Sequence, residues 1–583
     1  MTAPTVKRHA PGAGALLTAL VFLAACTNIA PPSAQPAASI SPRPVPADLL
    51  LLNGRVHTMD AQRTVATAVA IRGERIVAVG DDLGVEPLRG PATRVLDLMG
   101  KLVLPGFHDA HIHPVSSGLE MNGCALGEAR KLDALLALIR TCTAHNTGAW
   151  LVGSGWDMSL FANGNPAKAL LDAISTTQPM FLVSADGHSA WVNSAALARA
   201  HIDGSTRNPA KGIIERDTSG APSGTLRESA VRLVAILLPE ATPDERLAAL
   251  RRVSDMTTAF GITSVIEANA GKPTLETYRR ALAAGALPMR VVVSMAYTPA
   301  RNDEVLALID MTTRGKGQIH VDAAKIFVDG VLEGETAALL DPYLDRKPRH
   351  KGQLNLTADQ LKTAVVALDA RGIQVHMHAV GDRAVRVALD AVQAARTTNG
   401  PSDARHHIAH LQLVHPDDYP RFAALDVTAN FQALWAFPDG YIVDINTPAV
   451  GRARVERMYP IGSLKRAGAR IVGGSDWNVS SMNPLDAIQV ALTRSDPEHL
   501  RGGVLNASER VDLDTMLAAY TINAAWLMHQ DQDDGSIEVG KYADIAVLDK
   551  DLFSLAADEI NQAKVVTTIF NGRIVYLNTP PPK

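Results

Sequence analysis

Hydrophobic and polar positions follow two textures along this chain. Near both ends, short runs of β-branched and aliphatic residues alternate with polar ones: 48–59 and 68–80 at the start, 544–549 and 565–576 at the finish. Such runs predict strands joined by glycine-bearing turns, and Asn571-Gly572 has the preference of a two-residue hairpin. Strands this short are not stable alone, so the two ends are expected to pair into one small β-sandwich domain, split between 48–100 and 535–583. Between them, over 101–534, unbroken apolar runs alternate with stretches of helical period such as 357–371 and 383–395. That is the pattern of parallel β–α units. Eight runs qualify as strands: 101–107, 263–267, 290–297, 321–328, 373–378, 406–411, 427–431 and 469–473. Eight closes a barrel. The gap after the first is far longer than one crossover, which predicts an inserted cap over about 118–240. The expected fold is α/β: a (β/α)8 TIM barrel with a large insertion after strand one, plus the sandwich formed by both chain ends.

The first residues have a different character. Lys7 and Arg8 precede an apolar stretch, 13–25, too short to span a bilayer stably, and 27–47 is a Pro-, Ala- and Ser-rich tether. The stretch ends Leu23-Ala-Ala-Cys26, which resembles a bacterial lipobox. The resemblance implies removal of 1–26 up to Cys26, lipid attachment to its sulfur, and a chain anchored on the periplasmic side. Thr27 stands where the inner-membrane retention signal places Asp, which favours the outer membrane; the alternative is plain secretion. Of the remaining cysteines, Cys124 and Cys142 either pair or stay as separate buried thiols. Over 583 residues the net charge is −4 and aromatics make up 4%, which argues against a nucleic-acid surface. The membrane is expected to be met through the lipid alone, and self-association is left open.

Chemistry gathers at the strand ends. Leu102-Val-Leu-Pro-Gly-Phe-His-Asp-Ala-His-Ile-His113 delivers His111 and His113 two residues apart, so both imidazoles leave a strand on one face. Lys325 lies in strand four, His378 closes strand five, His410 ends strand six and Asp476 follows strand eight. Each alone has an ordinary structural reading; together, at the catalytic face of a barrel, they predict a metal site. His376, His406 and His407 are expected to support the ligands or the core. Asp329 either orients Lys325 or caps a turn. In the insertion, Trp156, Asp157, His188, Trp191 and Asn193 have the mixed aromatic and polar composition of a small-molecule pocket.

The chain resembles the amidohydrolase superfamily, and within it the YtcJ-like (type 3) group. The motifs that carry the resemblance are Leu104-Pro-Gly-Phe-His-Asp-Ala-His-Ile-His113, Asp186-Gly-His-Ser-Ala-Trp-Val-Asn193, His378-Ala-Val-Gly-Asp-Arg-Ala384, Gly474-Ser-Asp-Trp477 and 535–548. It implies two divalent ions, most often zinc. His111, His113 and Asp476 would hold the more buried one, His378 and His410 the more exposed one, and Lys325 would bridge them as an N6-carboxylated lysine. An unmodified Lys325 beside a single ion is the alternative. The implied activity is hydrolysis of a C–N bond in a small amide-like substrate, with Asp476 moving the proton; His188, in the insertion, either donates to the oxyanion or only ties down the lid. Ester or lactone hydrolysis and deamination are alternatives on the same site. A lipid-anchored binding or regulatory protein with a relic metal site is the alternative of another class.

Overall fold

The computed structural model describes residues 45–344 and 349–578. The leader, the tether up to residue 44 and Cys26 lie outside the described residues.

Eight parallel strands follow one another in chain order: β1 Phe107–Ile112, β2 Ile262–Ala270, β3 Arg290–Ala296, β4 Ile319–Phe327, β5 Gln374–Ala379, β6 His407–His410, β7 Thr428–Phe431 and β8 Ile471–Gly473. Their continuous Val, Ile and Ala runs are what a parallel sheet covered on both faces requires. No ladder pairs β8 with β1 among the described residues, but the Asp476 N–H donates to the His111 carbonyl at 2.7 Å and carries the barrel round. Small and aliphatic side chains, Ala110, Ile266, Val292, Ala323 and Val472, fill the interior with Ala524, Leu527 and Met528. Outside, helices such as Ala358–Asp369 and Asp382–Asn399 cover the sheet, and Thr357 with Gln360 forms a capping box at the first of these.

Strand one differs from the sequence expectation. Leu102–Pro105, expected to open the barrel, instead pairs with Ile545–Leu548 and Arg55–His57 in a six-stranded sheet built from both chain ends. The chain changes sheets at Gly106, and the barrel strand starts at Phe107. Beside that sheet runs a four-stranded one, with Leu49–Leu52 between Ala68–Arg72 and Arg94–Asp97. A buried charge cluster joins the end sheets to the barrel floor. Arg290 Nε meets Asp544 at 3.1 Å and Asp534 at 3.7 Å, and its guanidinium lies 3.6 Å from the Tyr542 ring centre.

Between β1 and helix Pro243–Ala259 the chain makes a further six-stranded sheet, from Cys124–Ala125 to Pro222–Glu228. Cys124 on its edge strand is disulfide-bonded to Cys142 in helix Leu132–His145. Among the described residues no helix is long and apolar enough to cross a membrane.

Candidate metal centre and substrate cavity

Strand register assembles the site. β4 and β5 align Lys325 with His376 and Phe327 with His378, and β5 and β6 align Ala379 with His410. Neighbouring strand ends thus bring their imidazoles and the lysine to one level of the barrel. Gly474 lets β8 close against β1, since a Cβ there would sit 2.6 Å from the His111 nitrogen. Asp476 follows it. Its Oδ1 lies 3.1 Å from His113 Nε2 and 3.5 Å from His111 Nε2, and its Oδ2 lies 3.9 Å from His410 Nδ1.

These donors fit a metal centre. His111, His113 and Asp476 each offer an atom within 4.8 Å of the others. His410 Nδ1 is buried without a hydrogen-bond partner, and its ring centre is 4.3 Å from that of His378. His378 Nε2 is 3.2 Å from the Gly330 carbonyl, which leaves Nδ1 as its free donor atom. Lys325 Nζ is 3.2 Å from His111 Nε2, and burial lowers its pKa to about 7. The neutral amine, present in part near pH 7, can donate its lone pair to a cation or add to carbon dioxide, where an ammonium would repel cations. Burial also holds His111, His378 and His410 well below the usual histidine range, so they are neutral. His410 and Asp476 both adopt left-handed backbone, with φ of +79° and +52°, a conformation that clusters at functional sites.

Supporting residues surround the candidate ligands. His376 Nε2 meets His111 Nδ1 at 3.0 Å, and its other nitrogen meets Ser294 Oγ at 3.2 Å. His407 packs on His376 with ring centres 4.0 Å apart, while His406 ties to Asp369 at 2.9 Å, away from the donors. Asp329 caps backbone: it accepts from Ala338, Val380 and Gly381 at 2.8–3.0 Å, so the turn-capping alternative holds over orientation of Lys325. Two residues were missed in the sequence. Glu267 in β2, three residues before its end, lies 3.6 Å from His113 and accepts from Tyr278 Oη at 3.1 Å. Asp109 accepts from the His111 and Ser475 amides at 3.1 and 3.0 Å, stitching β1 to the loop after β8. Glu267 carries the signal that found the candidate ligands, a charged side chain near the C-terminal end of a barrel strand.

A cavity of about 680 Å³ opens from His378, His410 and Asp476 and is walled by Trp435, Phe437 and Tyr441. Trp435 stacks on His410 within 3° of parallel. His188 reaches it from the cap, its ring centre 5.4 Å from that of His378. Burial works against the charge on His188, yet Glu228 raises its pKa to about 9. Asp157 also lines the cavity, although its Oδ1 is spent capping the Ser159 amide at 2.8 Å. The structure corrects the other three recognition candidates. Trp156 and Trp191 are fully buried in the cap, their indole N–H groups donating to Leu182 and Ala167 carbonyls. Asn193 caps helix Ser194–Arg199 and anchors Met180, so none of the three faces the cavity lining.

The family profile of the amidohydrolases (Amidohydro_3) matches residues 94–576, and the chain belongs to that family. It is a member of the metal-dependent amidohydrolase superfamily. It is 30% identical over 554 residues to Protein LONG AFTER FAR-RED 3 of Arabidopsis thaliana, covering 92% of both. It is also 30% identical over 548 residues to an N-substituted formamide deformylase of Arthrobacter pascens, covering 91% of this chain and 99% of the relative. The crystal structure of an uncharacterised metal-dependent hydrolase from Pyrococcus furiosus superposes with a TM-score of 0.66 at 25% identity, covering 86% of this chain and 99% of that one.

Proposed function

We propose that this protein hydrolyses the C–N bond of a small amide, with N-substituted formamides the first class to consider because a full-length relative bears that name. The observation that carries the reading is the convergence of His378, His410, Asp476 and His188 on one cavity beside the His111–His113 pair. His111, His113 and Asp476 would hold one divalent ion and His378 and His410 a second, most simply zinc, with Lys325 between them as a carbamate. Such ions supply Lewis acidity, which polarises a carbonyl and makes a water acidic enough to ionise near neutrality. Asp476 accepts the water's proton and returns it to the departing amine. His188, held charged by Glu228, donates from the cavity side to the oxyanion as it forms. Trp435 and Phe437 keep bulk water from the reacting carbon.

Among the described residues lining the cavity, nine are carboxylates and two are arginines. Burial raises Asp439 to about 7 and lifts Glu333 and Asp486 above their ordinary values, but away from the metal centre the balance still favours neutral or cationic amides over anionic ones such as N-acyl-amino acids. The test is a panel of N-alkyl and N-aryl formamides, N-acyl-amino acids, esters and aminopurines, offered to zinc-loaded chain lacking residues 1–26, with acid and amine measured together. Equimolar formate and amine from a neutral or cationic formamide is expected. Ammonia from purines, or turnover of esters alone, would overturn the reading.

Anchoring at Cys26 on the periplasmic side, preferentially at the outer membrane, belongs to the same proposal. Radiolabelled palmitate should enter the wild-type chain and not Cys26→Ser; equal labelling of both would refute it.

A further inference from the structure

Glu228 joins the cap to the barrel behind His188. It ends the cap strand Pro222–Glu228, and its side chain is 13% exposed against 18% for His188. Its Oε2 and Oε1 lie 3.1 and 3.3 Å from His188 Nδ1, and its backbone N–H donates to the His188 carbonyl at 2.9 Å. The histidine is therefore gripped by side chain and main chain of one residue. The adjacent Arg227 turns away to Glu215 at 2.8 Å and leaves the pairing undisturbed.

The other side of the same carboxylate faces the barrel. Thr336 Oγ1 donates to Glu228 Oε1 at 2.6 Å and accepts from the Val331 amide at 2.9 Å. Both residues press on Gly330, where an added Cβ would come within 2.2 Å of Thr336 Oγ1 and 2.3 Å of Glu228 Oε1. The Gly330 carbonyl is the partner of His378 Nε2. One carboxylate thus links the cap-borne histidine to the loop that orients a cavity imidazole. It does so from left-handed backbone, φ +51°, unusual for a glutamate and concentrated at functional sites. With Nδ1 engaged, Nε2 is the His188 nitrogen turned from Glu228, and no described residue hydrogen-bonds it.

We propose that Glu228 is a positioning residue for hydrolysis: it fixes His188 so that Nε2 meets the substrate carbonyl, and through Thr336 it locks that orientation to the barrel loop beside His378. The inference rests on the amide-hydrolase reading above. A purely structural tie would hold the cap down without acting through His188, and the two differ in measurable ways.

The experiment compares Glu228→Gln, His188→Ala and the double variant as zinc-loaded proteins, using the formamide the panel identifies. Glu228→Gln should lower kcat by about 100-fold, the scale of losing one well-placed oxyanion donor, with KM and zinc content unchanged. In the His188→Ala background the same change should alter kcat by less than about twofold, because the two act as a unit. Additive losses in the double variant, or normal kcat in Glu228→Gln, would overturn the proposal. A second readout needs no turnover. In 15N-histidine-labelled protein, the His188 Nδ1 resonance, assigned by its absence from His188→Ala, should shift in Glu228→Gln; an unmoved resonance would refute the pairing. If no amide is cleaved by the wild type, the hydrolase reading fails while this spectrum still decides whether Glu228 sets the state of His188.

Discussion

Loading the metal centre should release protons, and their number follows from how the donors are buried. Burial lowers the pKa of His113, but hydrogen bonds with Asp476 and Glu267 outweigh it and raise the value to about 9. At pH 7 this imidazole keeps its proton almost completely. Burial brings Lys325 to about 7, so half of the molecules carry an ammonium at that pH. His111, His378 and His410 are held neutral by burial and contribute nothing. A cation needs His113 and Lys325 deprotonated, so these two groups should expel about 1.5 protons on binding at pH 7, and a carbamate formed on Lys325 or a water ionised at the centre would each add one more. The number rises towards two at pH 6 and falls to about one at pH 8. The sign is fixed: both groups bind protons in the metal-free protein, so affinity weakens as pH falls. Near pH 7 the loss is about 30-fold per unit, or ~2 kcal/mol. Zinc titration by calorimetry in buffers of different ionisation enthalpy reads the proton count directly. Glu267→Gln, which removes one of the two partners of His113, should lower it. Release below about 0.5 proton at pH 7, or a count that does not change between pH 6 and 8, would refute the reasoning.

Three other outcomes are expected. Gly474→Ala puts a methyl group within 2.7 Å of His111 Cβ and within 2.6 Å of its backbone nitrogen, so it should cost ~1–3 kcal/mol and reduce bound zinc. Full zinc content with an unchanged Tm would contradict that. Arg290→Met removes the cation from buried Asp544 and leaves Asp534 to His108, and should cost ~3–5 kcal/mol in urea unfolding followed by tryptophan fluorescence; a loss below ~1 kcal/mol would mean the cluster is not held by the guanidinium. Replacing Cys124 and Cys142 by Ser opens a loop of sequence separation 18, worth ~3 kcal/mol of unfolded-chain entropy, so the cap should be cut first in limited proteolysis. Equal protease resistance would show that the bond adds nothing to the cap.

Much of the barrel was legible because a buried parallel strand writes a continuous apolar run, and seven of the eight runs overlap their strands closely. The first did not. Leu102–Val103–Leu104 is as apolar as any barrel strand, and its partners Arg55–His57 and Ile545–Leu548, the second more than 400 residues away, decide which sheet receives it. The ligand candidates were legible for a related reason: a chemistry-bearing residue at a strand end is a local feature. Glu267 met that criterion and was overlooked, whereas Asp109 and Glu228 act through contacts across the fold that no local spacing encodes. Trp156 and Trp191 misled because an indole with one polar atom suits a pocket and a core equally. Here carbonyls within the cap satisfy both N–H groups, one from the sheet at Leu182 and one from the helix start at Ala167, and the rings pack against each other.

The measurement that tests the central claim most directly is formate release from an N-substituted formamide by zinc-loaded wild type and Asp476→Asn, with zinc content and Tm determined on the same samples. The account predicts a folded variant whose turnover falls by about a thousandfold or more, since Asp476 both completes the donor set and moves the proton. Turnover within about twofold of wild type would contradict it, for then neither the donor set nor the proton path runs through Asp476.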